Sequence, residues 1–209
     1  MCGRFAIGQE PWSVFQERLN LIQPARNIEP SWNVKPTQPA PVVTSVDGQN
    51  QLSTMQWGFQ FEVRGKRVPG FNARAEKVST TWPYKYAVGK RHCLVPAIGF
   101  YEWTGPKGQR IPHYIHQADK QMFCMAGLWD QRDVGGEEAL CFTVLTVAAN
   151  DFMAPLHHRM PIILEPSQWG SWLAADLMPS QLTPIPDEEM AEYAVAPLKG
   201  DSANLIEPF

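Results

Sequence analysis

Apolar positions along this chain come in short bursts rather than long stripes. The first burst is helical: Pro11 suits a first turn, and Trp12, Phe15, Leu19 and Ile22 share one face of a helix predicted over residues 11–22. A proline-rich stretch, Pro30-Ser-Trp-Asn-Val-Lys-Pro-Thr-Gln-Pro, then reads as a loop. Beyond it the bursts shorten to strand length, at 40–46, 52–57, 93–100, 113–116, 121–128, 140–147, 161–164 and 193–196. Segment 58–92 is mixed, with a short helix expected after Trp82-Pro83. Another helix starts near Pro166 and buries Trp169, Trp172 and Leu173, and residues 187–191 read as a helical turn. Strands joined by turns, with a few helices, predict an α+β domain built on a mainly antiparallel sheet. No repeat or linker divides it, so residues 1–209 are read as one domain.

Composition supports that reading. Eight Trp and ten Phe supply a core, and nineteen prolines favour short elements with rigid turns. No apolar run approaches the roughly 20 residues of a membrane span. The first residues also lack the charged-then-apolar pattern of a signal peptide, so a cytoplasmic protein with no membrane partner is expected. The cysteines at 2, 93, 124 and 141 show no CxxC spacing, and disulfides are not expected in a reducing compartment. Among the histidines only His113-x-x-His116 has any ligand-like spacing, which suits a strand or turn; no metal and no cofactor are expected.

Charge changes the picture by its distribution. The net charge is −3, which alone discourages nucleic-acid binding. Yet residues 64–91 hold eight basic residues (Arg64, Lys66, Arg67, Arg74, Lys77, Lys85, Lys90, Arg91) against Glu76 alone, while residues 151–209 hold nine acids and two bases. This pattern fits a solvated basic face balanced by an acidic one, or a groove that tracks phosphates. Trp82, Tyr84 and Tyr86 lie among the cations, the mixture that stacking on unpaired bases uses.

Candidate chemistry starts at Cys2. Methionine aminopeptidases remove Met1 when the second residue is small, leaving a 1,2-aminothiol. Its amine condenses with an aldehyde to an imine, and the thiol closes on the imine carbon to give a thiazolidine. With a reference pKa of about 7.7–8.0 the α-amine is far more often neutral at pH 7 than a lysine near 10.4. The alternative for Cys2 is an ordinary residue in a frayed terminus. Polar residues also stand in apolar surroundings in four places: Phe71-Asn-Ala-Arg-Ala-Glu76, Gly99-Phe-Tyr-Glu-Trp103, Leu145-Thr-Val-Ala-Ala-Asn150 and Leu156-His-His-Arg-Met-Pro161. Glu102, between aromatics, either pairs with a cation such as Arg74 or Arg159 or carries a raised pKa suited to proton transfer.

The order of these motifs, from Cys2-Gly-Arg-Phe through Trp32-Asn-Val-Lys-Pro36, Trp57-Gly58, Asn72-Ala-Arg-Ala-Glu76 and Cys93-Leu-Val-Pro-Ala-Ile-Gly-Phe-Tyr-Glu-Trp103 to His157-His-Arg-Met-Pro161, resembles the SRAP family of abasic-site processing proteins. The resemblance runs from Cys2 to about Leu164; the acidic part, about 165–209, is less diagnostic. It implies a barrel-like β core with peripheral helices and a basic cleft for single-stranded DNA. It implies that Cys2, Asn72, Glu102 and His157 are catalytic, and it sets Arg4, Trp57, Arg74 and Thr146 at positions associated with DNA or site architecture. Lys35 departs from the small residue expected before Pro36 and would add a phosphate contact; Lys85 belongs to the basic stretch.

The implied activity is a thiazolidine cross-link between Cys2 and the ring-opened aldehyde of an abasic site in single-stranded DNA, slowly reversible, with a weak lyase activity through the imine. A monomer associated with the nucleoid is expected. Two other readings stand beside it: a peptidase using Cys2 as an amino-terminal nucleophile, as the family name and Met1 removal suggest, and a non-covalent single-strand binding module. Of the adjacent histidines, His157 is expected to face the cleft and His158 the opposite side, as successive residues of an extended segment do.

Overall fold

The computed structural model describes residues 3–22, 28–63, 65–134 and 136–209. In chain order the strands are β1 (Phe5–Ala6), β2 (Pro39–Val46), β3 (Gln49–Trp57), β4 (Phe59–Val63), β5 (Lys66–Gly70), β6 (Asn72–Arg74) and β7 (His92–Ala97). They continue as β8 (Gly99–Thr104), β9 (Ile111–Gln117), β10 (Phe123–Val134), β11 (Glu137–Ala148), β12 (Arg159–Pro161), β13 (Ile163–Leu164) and β14 (Met190–Ala194). The α-helices are α1 (Trp12–Leu19), α2 (Ala75–Val78) and α3 (Trp169–Leu173).

Two hairpins build the core. β2 and β3 turn at Asp47-Gly48, where φ is 51° and 74°, the positive pair that matches strand twist in a two-residue turn. β10 and β11 pair from Val134↔Glu137 to Gly127↔Val144. β7 links the hairpins, antiparallel to both β2 and β10, and β11 runs parallel to β3 at Cys141↔Gln56. The ring β11–β3–β2–β7–β10 therefore closes into a mixed barrel, which spares these strands an open edge. Val42, Val43, Leu94, Val95, Met125 and Phe142 are fully buried in it. Beside it lies an antiparallel sheet in the order β1–β8–β9–β14. This is the α+β, mainly antiparallel, barrel-containing domain that the sequence predicts.

Several boundaries differ from expectation, each for a local reason. The apolar run 93–100 is not one strand: it breaks at Ile98, so β7 stays in the barrel and β8 enters the second sheet. Gly99 permits this crossing, because a Cβ there would sit 2.3 Å from the Tyr114 ring. α1 buries Phe15 and Leu19 but stops at Asn20, whose left-handed φ of 49° ends the helix and leaves Ile22 exposed. The mixed segment 58–92 contains the β4–β5 hairpin, β6 and α2 besides the expected short turn at Tyr84–Tyr86. The run at 161–164 divides into β12 and β13, which pair with different partners, β11 and β10. No helix among the described residues is long and apolar enough to cross a membrane.

Candidate active site

β6 places Asn72. It pairs in parallel with β11, Asn72 opposite Val144 and Arg74 opposite Thr146. The carbonyl of Phe71, just before it, accepts the Trp57 indole N–H (2.8 Å) and the Val144 N–H (3.0 Å). Trp57 is 0% exposed, packed edge-on to Phe5 and Phe71 and stacked on Phe142. Its buried side chain therefore holds the start of β6, the architectural one of the two roles that the resemblance left open for it. Thr146 is architectural in the same way. Fully buried, it donates to the Ala73 carbonyl (3.3 Å), and its own carbonyl accepts from Arg159 Nη2 (2.6 Å).

Arg159 is the hub beneath the site. Its guanidinium forks onto Glu76, at 2.7 and 2.9 Å, in the bidentate geometry that makes such pairs strong. Arg159, one of the two cations considered for Glu102, is thus turned toward Glu76, whose carboxyl it holds below the usual range. The Arg159 peptide N–H donates to His157 Nδ1 (2.9 Å). The Arg159 carbonyl lies 3.1 Å from the same nitrogen, so Nδ1 finds a partner whichever ring nitrogen carries the proton. Burial lowers the pKa of the half-buried His157, so the neutral ring prevails near pH 7.

Glu102 lies on β8, only 4% exposed. Burial raises its pKa, and the charge of His158 pulls the other way. The charges of Arg74 and Arg159 act in turn on His158, so these groups share one electrostatic neighbourhood. β1 runs antiparallel to β8 with Phe5 opposite Phe100, and the Tyr101 N–H donates to the Arg4 carbonyl (3.0 Å). Arg4 is half-buried; Nη1 donates to Asn33 Oδ1 (2.7 Å) and the guanidinium lies 5.9 Å from the Trp103 ring centre. Cys2 lies outside the described residues.

The basic stretch is partly used in structure. Arg91 pairs with Asp130, and Tyr84 is buried against Phe59 and Phe61, so Tyr84 is removed from the expected stacking residues. Trp82 and Tyr86 are 50% and 57% exposed, and the exposed Lys85 sits 5.1 Å from the Tyr86 ring. A cleft of about 270 Å³ joins this segment to Asn72; Arg74, Lys77 and Thr81 line it. Lys35 is half-buried on the loop before β2, where its N–H donates to Gln38 Oε1.

His158 defeats the expectation drawn from strand alternation. Residues 157 and 158 precede β12 rather than belonging to it, and the two imidazoles stack with centres 4.3 Å apart and planes at 28°. Sequence reasoning also passed over Asn33 and Trp103 as partners of Arg4; both were visible as polar or aromatic members of the quoted motifs.

Three separate elements thus carry the candidate groups: Glu102 on β8 of the second sheet, Asn72 on β6, and His157 just before β12. Residues 1–200 match the family described as SOS response associated peptidase (SRAP), and the chain belongs to that family. The chain is 31% identical over 226 aligned residues, 99% of each chain, to abasic site processing protein YoqW of Bacillus subtilis (strain 168). It is 26% identical over the full length of both to abasic site processing protein YedK of Escherichia coli (strain K12). A crystal structure of a protein from Bacteroides thetaiotaomicron shares the fold over both whole chains, with a TM-score of 0.84 at 23% identity.

Proposed function

We propose that this protein processes abasic sites in single-stranded DNA by forming a thiazolidine through Cys2 once Met1 is removed. The observation that carries the proposal is the register of β1 on β8, which leads the start of the chain toward the buried Glu102. Only Gly3 lies between Arg4 and Cys2, a reach of at most about 7 Å. The other cysteines support the choice. Cys93, Cys124 and Cys141 are buried, and burial raises the pKa of each thiol, which keeps them protonated and unreactive.

In this reading His157 exchanges protons with the sugar oxygens as the hemiacetal opens to the aldehyde. The Cys2 amine adds to C1′; Glu102, whose pKa burial raises, delivers the proton with which the carbinolamine hydroxyl leaves as water and takes back the iminium N–H proton to give the imine. The thiol then adds to the imine carbon and its proton goes to nitrogen, closing the ring. Net, one water is lost. Asn72 holds the amine or the sugar by hydrogen bonds without titrating. The steps reverse by the same groups, and the imine permits slow β-elimination. Phosphates would be met by Arg4, Arg74, Lys35 and Lys85, and bases by Trp82 and Tyr86, whose exposure suits stacking.

The test is the intact mass of the product with an abasic oligonucleotide, without borohydride. The expected mass is that of protein lacking Met1 plus DNA minus one water, surviving denaturation. Turnover of a peptide substrate with no DNA adduct would instead favour an amidohydrolase.

A further inference from the structure

The stacked pair His157–His158 extends the proposed chemistry and rests on it. Stacking at 4.3 Å leaves the half-buried ring covered on one face by the exposed one. The Arg159 backbone also holds His157 at its Nδ1 edge. The χ2 torsion of a histidine is broad, and a flat neighbour on the ring face narrows it. The second consequence is electrostatic. Two imidazolium ions at this separation repel, so a proton on either ring makes the second harder to add.

We propose that His158 is a positioning residue for His157, fixing the ring by stacking and sharing with it a single proton, so that a fraction of His157 stays neutral below the pH at which a lone histidine would be fully charged.

The charged groups around the pair are consistent with this. Among the described residues, Arg74 at the end of β6 and Arg159 on β12 both disfavour a second proton on the pair, Glu76 of α2 offsets Arg159, and Glu102 on β8 lies within the reach of His158. The charge of His157 is the largest influence lowering the pKa of His158. An anionic strand bound beside Arg74 would draw the shared proton toward the exposed ring, leaving His157 neutral as the base for sugar-ring opening. The position between His157 and Arg159 is therefore functional in this chain.

Two substitutions separate the two effects. His158→Phe keeps a flat ring and removes the proton site; His158→Ala removes both. Adduct formation with an abasic single strand is followed from pH 5 to pH 8. His158→Phe should keep the wild-type rate at pH 8, with its acid limb moved up by about half a pH unit or more. His158→Ala should be slower at every pH, by roughly tenfold. A wild-type rate in His158→Ala at pH 8 overturns the positioning role. Coincident acid limbs of wild type and His158→Phe overturn the shared proton. The imidazole NMR titration of the DNA-free protein reports independently: two separated steps are expected in wild type and one in His158→Phe at the pair's signals. Two independent ordinary titrations overturn the proposal. An absence of any wild-type adduct alongside a two-step titration would fault the thiazolidine reading while leaving the pair intact.

Discussion

Glu102 sits where desolvation gives a carboxyl a chemical use. Burial raises its pKa, so it carries a proton nearer neutrality than an exposed glutamate does. Glu102→Gln keeps shape and polarity but cannot titrate. It should slow adduct formation by about 10²–10⁴-fold and flatten one limb of the pH–rate profile, with single-strand affinity nearly unchanged. Parallel affinity and rate losses, or an unfolded variant, would mean the carboxyl is structural. At this scale the burial of Glu102 was legible, because an acid among Phe100, Tyr101 and Trp103 needs a reason to be there. What misled was inferring side-chain direction from sequence spacing. His158 stacks on His157 because the pair lies outside the strand, and Tyr84 turns inward against Phe59 and Phe61 although its neighbours Trp82 and Tyr86 are exposed.

Between elements, the Arg159–Glu76 fork ties β12 to α2, and Thr146 ties both to β6. His157 inherits its position from this knot through the Arg159 N–H. Glu76→Ala leaves a guanidinium with a side chain only 9% exposed and without its carboxylate. Urea unfolding should show a loss of about 1–3 kcal/mol, and adduct formation should slow in the folded variant. Unchanged stability would show the fork to be idle. Most strands of the barrel were readable because their apolar runs are long enough to be distinct, as in β2, β10 and β11. The β4–β5 hairpin was not: Lys66, Arg67 and Pro69 mask the alternation, and β5 pairs with β4 alone. Nor can an apolar run report that it changes sheets at Ile98, since both halves are buried alike.

For the whole molecule, pH sets stability through a group remote from the chemistry. His92 at the start of β7 stacks on Trp172 of α3 at 3.9 Å, with Nδ1 2.9 Å from the Trp172 carbonyl and Nε2 accepting from Gly89 N–H. Burial lowers its pKa to about 4. The unfolded chain binds this proton from about pH 6.5 downward and the folded chain only near pH 4, so stability present above pH 6.5 is lost as pH falls through that window. The loss should approach roughly 3 kcal/mol, measured as the fall in urea midpoint between pH 7 and pH 4. A His92→Gln variant should show a smaller fall; an equal one would mean other groups dominate. Glu76, with its pKa lowered by Arg159, adds a further loss at more acid pH, because the folded chain protonates it last.

The central claim is that the chain's terminal aminothiol makes the bond to DNA. Its most direct measurement compares wild type and Cys2→Ala on an abasic single-stranded oligonucleotide, with the covalent band resolved on a denaturing gel and binding measured separately under native conditions. The account predicts that Cys2→Ala binds as wild type does and yields no denaturation-resistant band. A Cys2→Ala protein that cross-links at the wild-type level would contradict it.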